Sequence, residues 1–238
     1  VEGPESDEVE RVVVVSKAIT ERKKVEEREE FLHSLLRHDV RNKAQVVQGY
    51  LELLKDTELT EEQEDLVEKA FNGSKMGIDI IEKVRTLREL TLEQRGGKID
   101  LCSLLEDRIE EDEDLLTDKD VDLVCQGRFS VEGGPLLGEL FSNLFENAVK
   151  HAECEKIKVS VNESDADVIV SVEDDGRGIS DEDKEKIFER GFKVSGSRGS
   201  GLGLYLVKEI AEGYDGNVEV GDSELGGAKF DVLLKKSG

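Results

Sequence analysis

Tryptophan is absent from this chain, methionine occurs once and proline only twice. With so little proline, long helices can run without an imposed break. No apolar run approaches the roughly 20 residues that a membrane-spanning helix needs, and no secretory leader pattern is visible. The first residue is Val1 rather than methionine, so the sequence is expected to be a fragment, cytoplasmic in its location, of a protein that as a whole can be membrane-associated. Cationic charge is also scarce. Lys and Arg number 33 against 57 Asp and Glu, a formal net charge of −24. That balance argues against nucleic acid as a partner, because phosphate contacts need Lys and Arg. It favours solubility and is tolerable in a high-salt cytoplasm, where like charges are screened; Lys is nevertheless not depleted relative to Arg. The three cysteines, Cys102, Cys125 and Cys154, show no Cys-x-x-Cys spacing. They read as reduced cytosolic thiols in a core, not as a disulfide framework or a zinc site.

What is present is enough for one large domain or two modest ones: 238 residues, 37% of them apolar. Val12 to Val15 is a β-branched run that reads as a strand whose partners lie upstream. From Ile19 to about Lys55, Leu32, Leu36, Val40, Val47, Leu51 and Leu54 recur at helical spacing. A helix of that length spans about 55 Å at 1.5 Å per residue. Asp56 to Thr60 is a break, and Thr60-Glu61-Glu62-Gln63 is a capping-box signature for a second helix to about Leu92. Two long antiparallel helices leave apolar surface uncovered, so a second copy is expected to pair with them in a four-helix bundle.

After the linker Arg95-Gly96-Gly97-Lys98 the pattern turns to mixed strand and helix. Strands are expected at Lys98–Leu101, Val121–Cys125, Lys156–Val161, Val168–Val172, Val218–Val220 and Lys229–Leu234. The pair 156–161 and 168–172 reads as a hairpin. Helices are expected near Leu104, at Pro135–His151, at Asp181–Arg190 and at Gly203–Tyr214. The fold class is therefore α+β: a helical hairpin followed by an α/β sandwich of roughly 140 residues, an ordinary domain size. The acidic run Glu110 to Asp114 reads as a solvated helix face and loop.

His38 falls away from the apolar stripe of the first helix, at about 100° per residue, beside Arg37, Arg41 and Asn42. An exposed neutral imidazole is a competent nucleophile toward phosphorus. Asp39 beside it can hold the other ring nitrogen's proton, and Asn42 lies one turn on. His33, with no acidic neighbour following it, ranks far below. Asn143 and Asn147 stand four apart on one helix face, and their amide oxygens suit a hard cation such as Mg²⁺. Lys150 is placed to reach phosphate as a point charge, and His151 continues the Asn147 face. Glu146 points about 100° away and reads as a surface residue. Asp174 ends a strand and opens the turn Asp175-Gly176-Arg177-Gly178-Ile179. A buried carboxylate there would accept from an exocyclic amine and so select adenine. Gly199, Gly201 and Gly203 precede a helix whose first amides favour phosphate. No strand leads into that run, so a dinucleotide fold is excluded by context.

In their order these motifs resemble those of the sensor histidine kinases of two-component systems, over about residues 19 to 236. His38-Asp39-Val40-Arg41-Asn42 is similar to the family's H-box, with Lys43 where proline is common. Asn143 to His151 resembles the N-box, Asp174 to Gly178 the G1 box, Ile187-Phe188-Glu189-Arg190-Gly191-Phe192 the F-box and Gly199 to Leu204 the final glycine box. The resemblance implies a phosphoacceptor and dimerisation hairpin over residues 19–95 and a Bergerat-type catalytic ATP-binding domain over 96–238. Residues 1–18 and the following Ile19-Thr20-Glu21-Arg22 resemble the end of a PAS sensor domain entering a signalling helix, with Ala18 where Asp is usual. It further implies ATP and Mg²⁺ as cofactors, with Asn147 as metal ligand. Asn143, Asn147, Lys150, His151, Asp174, Gly176, Gly178, Ile179, Phe188, Gly199, Gly201, Leu202, Gly203 and Leu204 would contact the nucleotide. Residues 193–200 would form an ATP lid, with Lys193 and Arg198 as candidate phosphate contacts. His38 would be phosphorylated, with Asp39 and Asn42 assisting, and would pass the group to an aspartate on a response regulator receiver domain. Asn42 makes phosphatase activity toward that regulator a second expectation.

Two other readings remain beside this one. The nucleotide motifs also resemble the ATPases of gyrase and MutL, but the general-base Glu that those carry four residues before the metal-binding Asn is here Asn143. A catalytically silent scaffold or a phosphatase-only module is disfavoured by the intact nucleotide motifs.

Overall fold

The computed structural model describes residues 39–92, 97–164, 167–194 and 199–237. The expected strand at Val12–Val15, the helix before residue 39, His33, His38, Gly96 and Arg198 lie outside the described residues. The chain divides into two compact units, Val1–Ile81 and Glu82–Gly238.

In the first unit, helix α1 occupies residues 39–55, and α2, Glu61–Leu92, begins after a short turn. The capping box forms as its residue types require. Thr60 N–H donates to Gln63 Oε1 at 3.0 Å, and Gln63 N–H donates to Thr60 Oγ1 at 3.4 Å. Ser74 Oγ donates to the Ala44 carbonyl at 3.3 Å, and Lys55 Nζ stands 4.6 Å from the centre of the Phe71 ring. These contacts tie the two helices together on one face. Apolar side chains of α1 nevertheless remain exposed: Val40, Val47 and Leu54, at heptad spacing, are 46%, 49% and 45% exposed.

The second unit begins with the last turns of α2. Its five-stranded sheet has the order β2-β4-β5-β7-β6, from Asp120–Val124 (β2), Lys156–Glu163 (β4), Asp167–Asp174 (β5), Asn217–Asp222 (β6) and Ala228–Lys235 (β7). Only β2 with β4 is parallel; β4 with β5, β5 with β7 and β6 with β7 are antiparallel. The expected hairpin is β4–β5, with Val159 opposite Val172. Alternation sends Ile157, Val159 and Val161 of β4 and Val168, Val170 and Val172 of β5 into one core. Three helices close that core: α3 (Leu101–Glu111), α5 (Leu136–Asn147) and α7 (Gly203–Gly213). Fully buried Phe141 and Phe145 of α5 and Leu206 and Ile210 of α7 fill it. A separate two-stranded ladder pairs β1 (Lys98–Asp100) with β3 (Ser130–Glu132). The short helices α4 (Glu113–Leu116) and α6 (Asp181–Lys184) complete the unit.

Several expectations need correction. Cys102 and Cys125 are joined in a disulfide, with Cα atoms 5.8 Å apart, and only Cys154 is a free buried thiol. The pairing arises because α3 starts beside the end of β2, an adjacency that spacing along the chain does not reveal. Asp100 ends β1 and caps α3, its carboxylate accepting from Cys102 N–H and Ser103 N–H, so the expected strand stops one residue short of Leu101. The helix expected at Asp181–Arg190 is regular only to Lys184 and continues as turns. Within the acidic run, Asp112 is not simply solvated: its carboxylate accepts from Ser142 Oγ at 2.6 Å.

Candidate functional site

Helix α5 ends at Asn147, and the chain continues as a π-turn, Ala148–Ala152, rather than as α-helix to His151. The turn closes on Ala148 O, which receives the N–H of Glu153, itself left-handed at φ 55°, and that of Cys154. His151 sits within this turn, four residues after Asn147. It lies against the glycine loop: a β-carbon on Gly199 would stand 3.3 Å from His151 Cε1. Burial holds the His151 imidazole below its ordinary pKa, helped by Arg177, Lys150 and Lys83 and opposed by Glu146, so the ring is neutral near pH 7.

Asn143 is 7% exposed. Its Nδ2 donates to the Glu139 carbonyl at 2.7 Å, which fixes the amide orientation. Its Oδ1 is buried without a hydrogen-bond partner. Oδ1 faces Gly203, the first residue of α7, where a β-carbon would stand 3.3 Å from it. An orphaned amide oxygen suits a hard cation. Leu202, the residue before α7, makes no side-chain cap, and the amides at a helix start suit an anion. Asn147 is half-buried.

Asp174 is 2% exposed at the end of β5. Its Oδ1 accepts from Gly176 N–H at 2.9 Å and Ala228 N–H at 3.2 Å, which leaves Oδ2 for a base's exocyclic amine. Burial raises its carboxyl above the ordinary aspartate pKa; the two amides oppose the rise and Asp175 adds to it. Gly176 allows the turn to press on the π-turn, since a β-carbon would lie 2.4 Å from Ala152 O. Gly178 and Gly201 have φ of 66° and 69°. Asp175 accepts from Glu155 N–H and Lys156 N–H, both at 2.9 Å, and these bonds hold the turn to the start of β4.

Phe188 meets Phe230 edge-on, with centroids 6.4 Å apart, and Ile179, Phe188 and Leu204 pack on the core. Gly191 N–H donates to Gly201 O at 3.0 Å, closing the loop on itself. Lys193 is exposed. Asp39 and Asn42 are exposed on α1, in the first unit.

Two groups were not foreseen. Glu146 is no plain surface residue: it accepts from Lys83 Nζ at 3.2 Å and from Lys150 Nζ. Burial raises its pKa, but Lys83 and Lys150 outweigh that and hold it below the ordinary glutamate value. Gly227 is the other. Its N–H donates to the Asp174 carbonyl at 3.1 Å, and the pair Gly226-Gly227 before an alternating strand was the available sign of a tight approach.

Residues 133–238 match the family profile described as "Histidine kinase-, DNA gyrase B-, and HSP90-like ATPase". The chain is 40% identical over 97 residues to the sensor protein PhoQ of Escherichia coli K12, covering 40% of this chain but 20% of that protein. It is 28% identical over 211 residues to the sensor histidine kinase GtrS of Pseudomonas aeruginosa, covering 87% of this chain and 42% of that one. The crystal structure of the ATP binding domain of PrrB from Mycobacterium tuberculosis aligns over 61% of this chain and all of its own, with a TM-score of 0.54 and 28% identity. The chain thus spans less than half the length of the two sensor proteins.

Proposed function

We propose that this chain is a sensor histidine kinase of a two-component system, as its likeness to PhoQ and GtrS supports, and that it autophosphorylates His38 from ATP and passes the phosphoryl group to an aspartate of a response regulator. The observation that carries this reading is the buried, unpartnered Asn143 Oδ1 facing the first residue of α7, in the same domain as the Asp174 carboxylate. One locus suits a cation with phosphate, the other an adenine amine.

Asn143 and Asn147 are the residues that would hold Mg²⁺, which when bound offsets phosphate charge. Asp174 orients the base and the α7 amides take phosphate oxygens. An imidazole nitrogen of His38 attacks the γ-phosphorus, the bond to the ADP oxygen breaks as the N–P bond forms, and Asp39 takes up the ring proton. With Asn143 where related hydrolases carry a general-base Glu, water is not activated and transfer to His38 is favoured over hydrolysis. We assign residues 1–18 to the end of a sensor domain, 19–95 to the signalling helix and phosphoacceptor hairpin and 96–238 to catalysis. The hairpin pairs with a second copy through the Val40, Val47 and Leu54 face. Asn42 supports dephosphorylation of the regulator as a second activity.

Incubation with ATP labelled at the γ-phosphate tests the proposal. Acid-labile, base-stable label on the wild-type chain, lost in His38→Ala and in Asn147→Ala but with ATP binding kept in His38→Ala, is the expected result. ATP hydrolysis without protein label would replace it with a simple ATPase.

A further inference from the structure

The cluster around Glu146 has a member from outside the motifs. Lys83 lies on the last turns of α2, which belong to the same compact unit as the nucleotide domain. Its Nζ is 3.2 Å from Glu146 Oε2, and its side chain is only 13% exposed. A β-carbon on Gly203 would stand 3.8 Å from that ammonium and 3.3 Å from Asn143 Oδ1. Lys83, the orphaned Asn143 oxygen and the first residue of α7 therefore converge on one point.

We propose that Lys83 is a phosphate-binding residue of the nucleotide site, supplied by helix α2 rather than by the motif-bearing domain. This rests on the reading of the site as an ATP site. The start of a helix carries partial positive charge, which repels an ammonium and attracts an anion. Burying a lysine there costs free energy unless the charge is compensated. Glu146 contributes to that compensation and also meets Lys150. An ammonium beside the first residue of α7 adds to the attraction of the helix start for an incoming polyanion. The lysine is also held in place. Thr86 is 8% exposed, Leu87 and Leu90 pack on the core, and Leu90 fits against Gly213, where a β-carbon would lie 2.7 Å from its Cδ1. Glu146 accepts from both ammoniums and so ties Lys83 to Lys150.

The test is competition binding of ATP with Mg²⁺, and separately of adenosine, to the whole chain and to Lys83→Gln and Lys83→Arg. Lys83→Gln is expected to weaken ATP about tenfold, the worth of one charge-assisted contact, with adenosine unchanged and Lys83→Arg restoring most of the loss. Equal loss for ATP and adenosine would mean a structural role and overturn the proposal. Unchanged or tighter ATP binding in Lys83→Gln would overturn it as well, the latter marking Lys83 as a competitor of the nucleotide. A wild-type chain that binds neither ligand would overturn the ATP reading itself and this inference with it.

Discussion

Gly227 and Asp174 are packed so closely that a β-carbon on the glycine would lie 2.1 Å from Asp174 Oδ1. The backbone of the β7 entry thus forms the wall against which the carboxylate is held. Gly227→Ala is expected to destabilise the domain by about 1–3 kcal/mol, the usual cost of overpacking, and to weaken ATP binding by displacing the carboxylate. Gly221→Ala, where a β-carbon meets nothing within 4 Å, serves as the neutral comparison. Urea unfolding and ATP titration of both variants decide it.

A second prediction follows from the raised pKa of Asp174, whose ordinary value is 3.8. Only the ionised carboxylate accepts from an amine, so ATP affinity is constant above the pKa of the free site and falls as pH drops through it. Because that pKa is raised, the fall begins at a higher pH than an ordinary aspartate would give. Asp175→Asn removes one of the charges that raise it, and the onset then moves to lower pH. Binding isotherms from pH 7 downward measure both onsets.

Glu146 carries the opposite sign. Its folded pKa is lowered below the ordinary 4.5, so its contribution to stability is present above that value and is lost as pH falls through the folded pKa. In Glu146→Gln, that part of the acid-side loss disappears, and the two chains converge in stability at low pH. Thermal unfolding across pH 3 to 7 reads the difference.

Reduction of the Cys102–Cys125 bond, or Cys102→Ser with Cys125→Ser, opens a loop of 23 residues' separation. Chain entropy puts the cost at about 3 kcal/mol. Unfolding with and without a dithiol reductant measures it, and the double variant is expected to lose its response to the reductant.

Leu54→Asp places a charge on the apolar face of α1 that α2 leaves exposed. If that face joins two copies, burying the carboxylate raises the dimer dissociation constant at least about a hundredfold. Sedimentation velocity checks this, with ATP binding to the second unit unchanged.

Wherever one short-range rule acts alone, sequence and structure agree. Thr60 and Gln63 cap α2 because their residue types can do little else at that spacing, and Val159 and Val172 face the core because strands alternate. Asp174 and Gly176 are read correctly as a buried carboxylate opening a turn. What escaped depends on elements distant in the chain. Cys102 meets Cys125 only once α3 is laid beside β2. Lys83 reaches Glu146 only when the end of α2 is placed against α5, and Gly227 reaches Asp174 only through the β5–β7 register. Nothing in residues 148–152 as a sequence marks a π closure, a choice the structure shows beside the turn after β5, where Arg177 N–H donates to Ala152 O at 3.2 Å.

That choice bears on how the protein can change by inheritance. In an α-helix, losing one residue turns everything beyond it by about 100° and strips a buried face from its partner. Between Ala148 and Ala152 the chain already carries a surplus residue, so a one-codon deletion there would relax the segment to ordinary helix with its ends still joined. The fold would survive such a lesion, while Lys150 and His151 would be swung to new bearings around the nucleotide. The segment is a place where a frame-preserving deletion retunes the protein instead of destroying it.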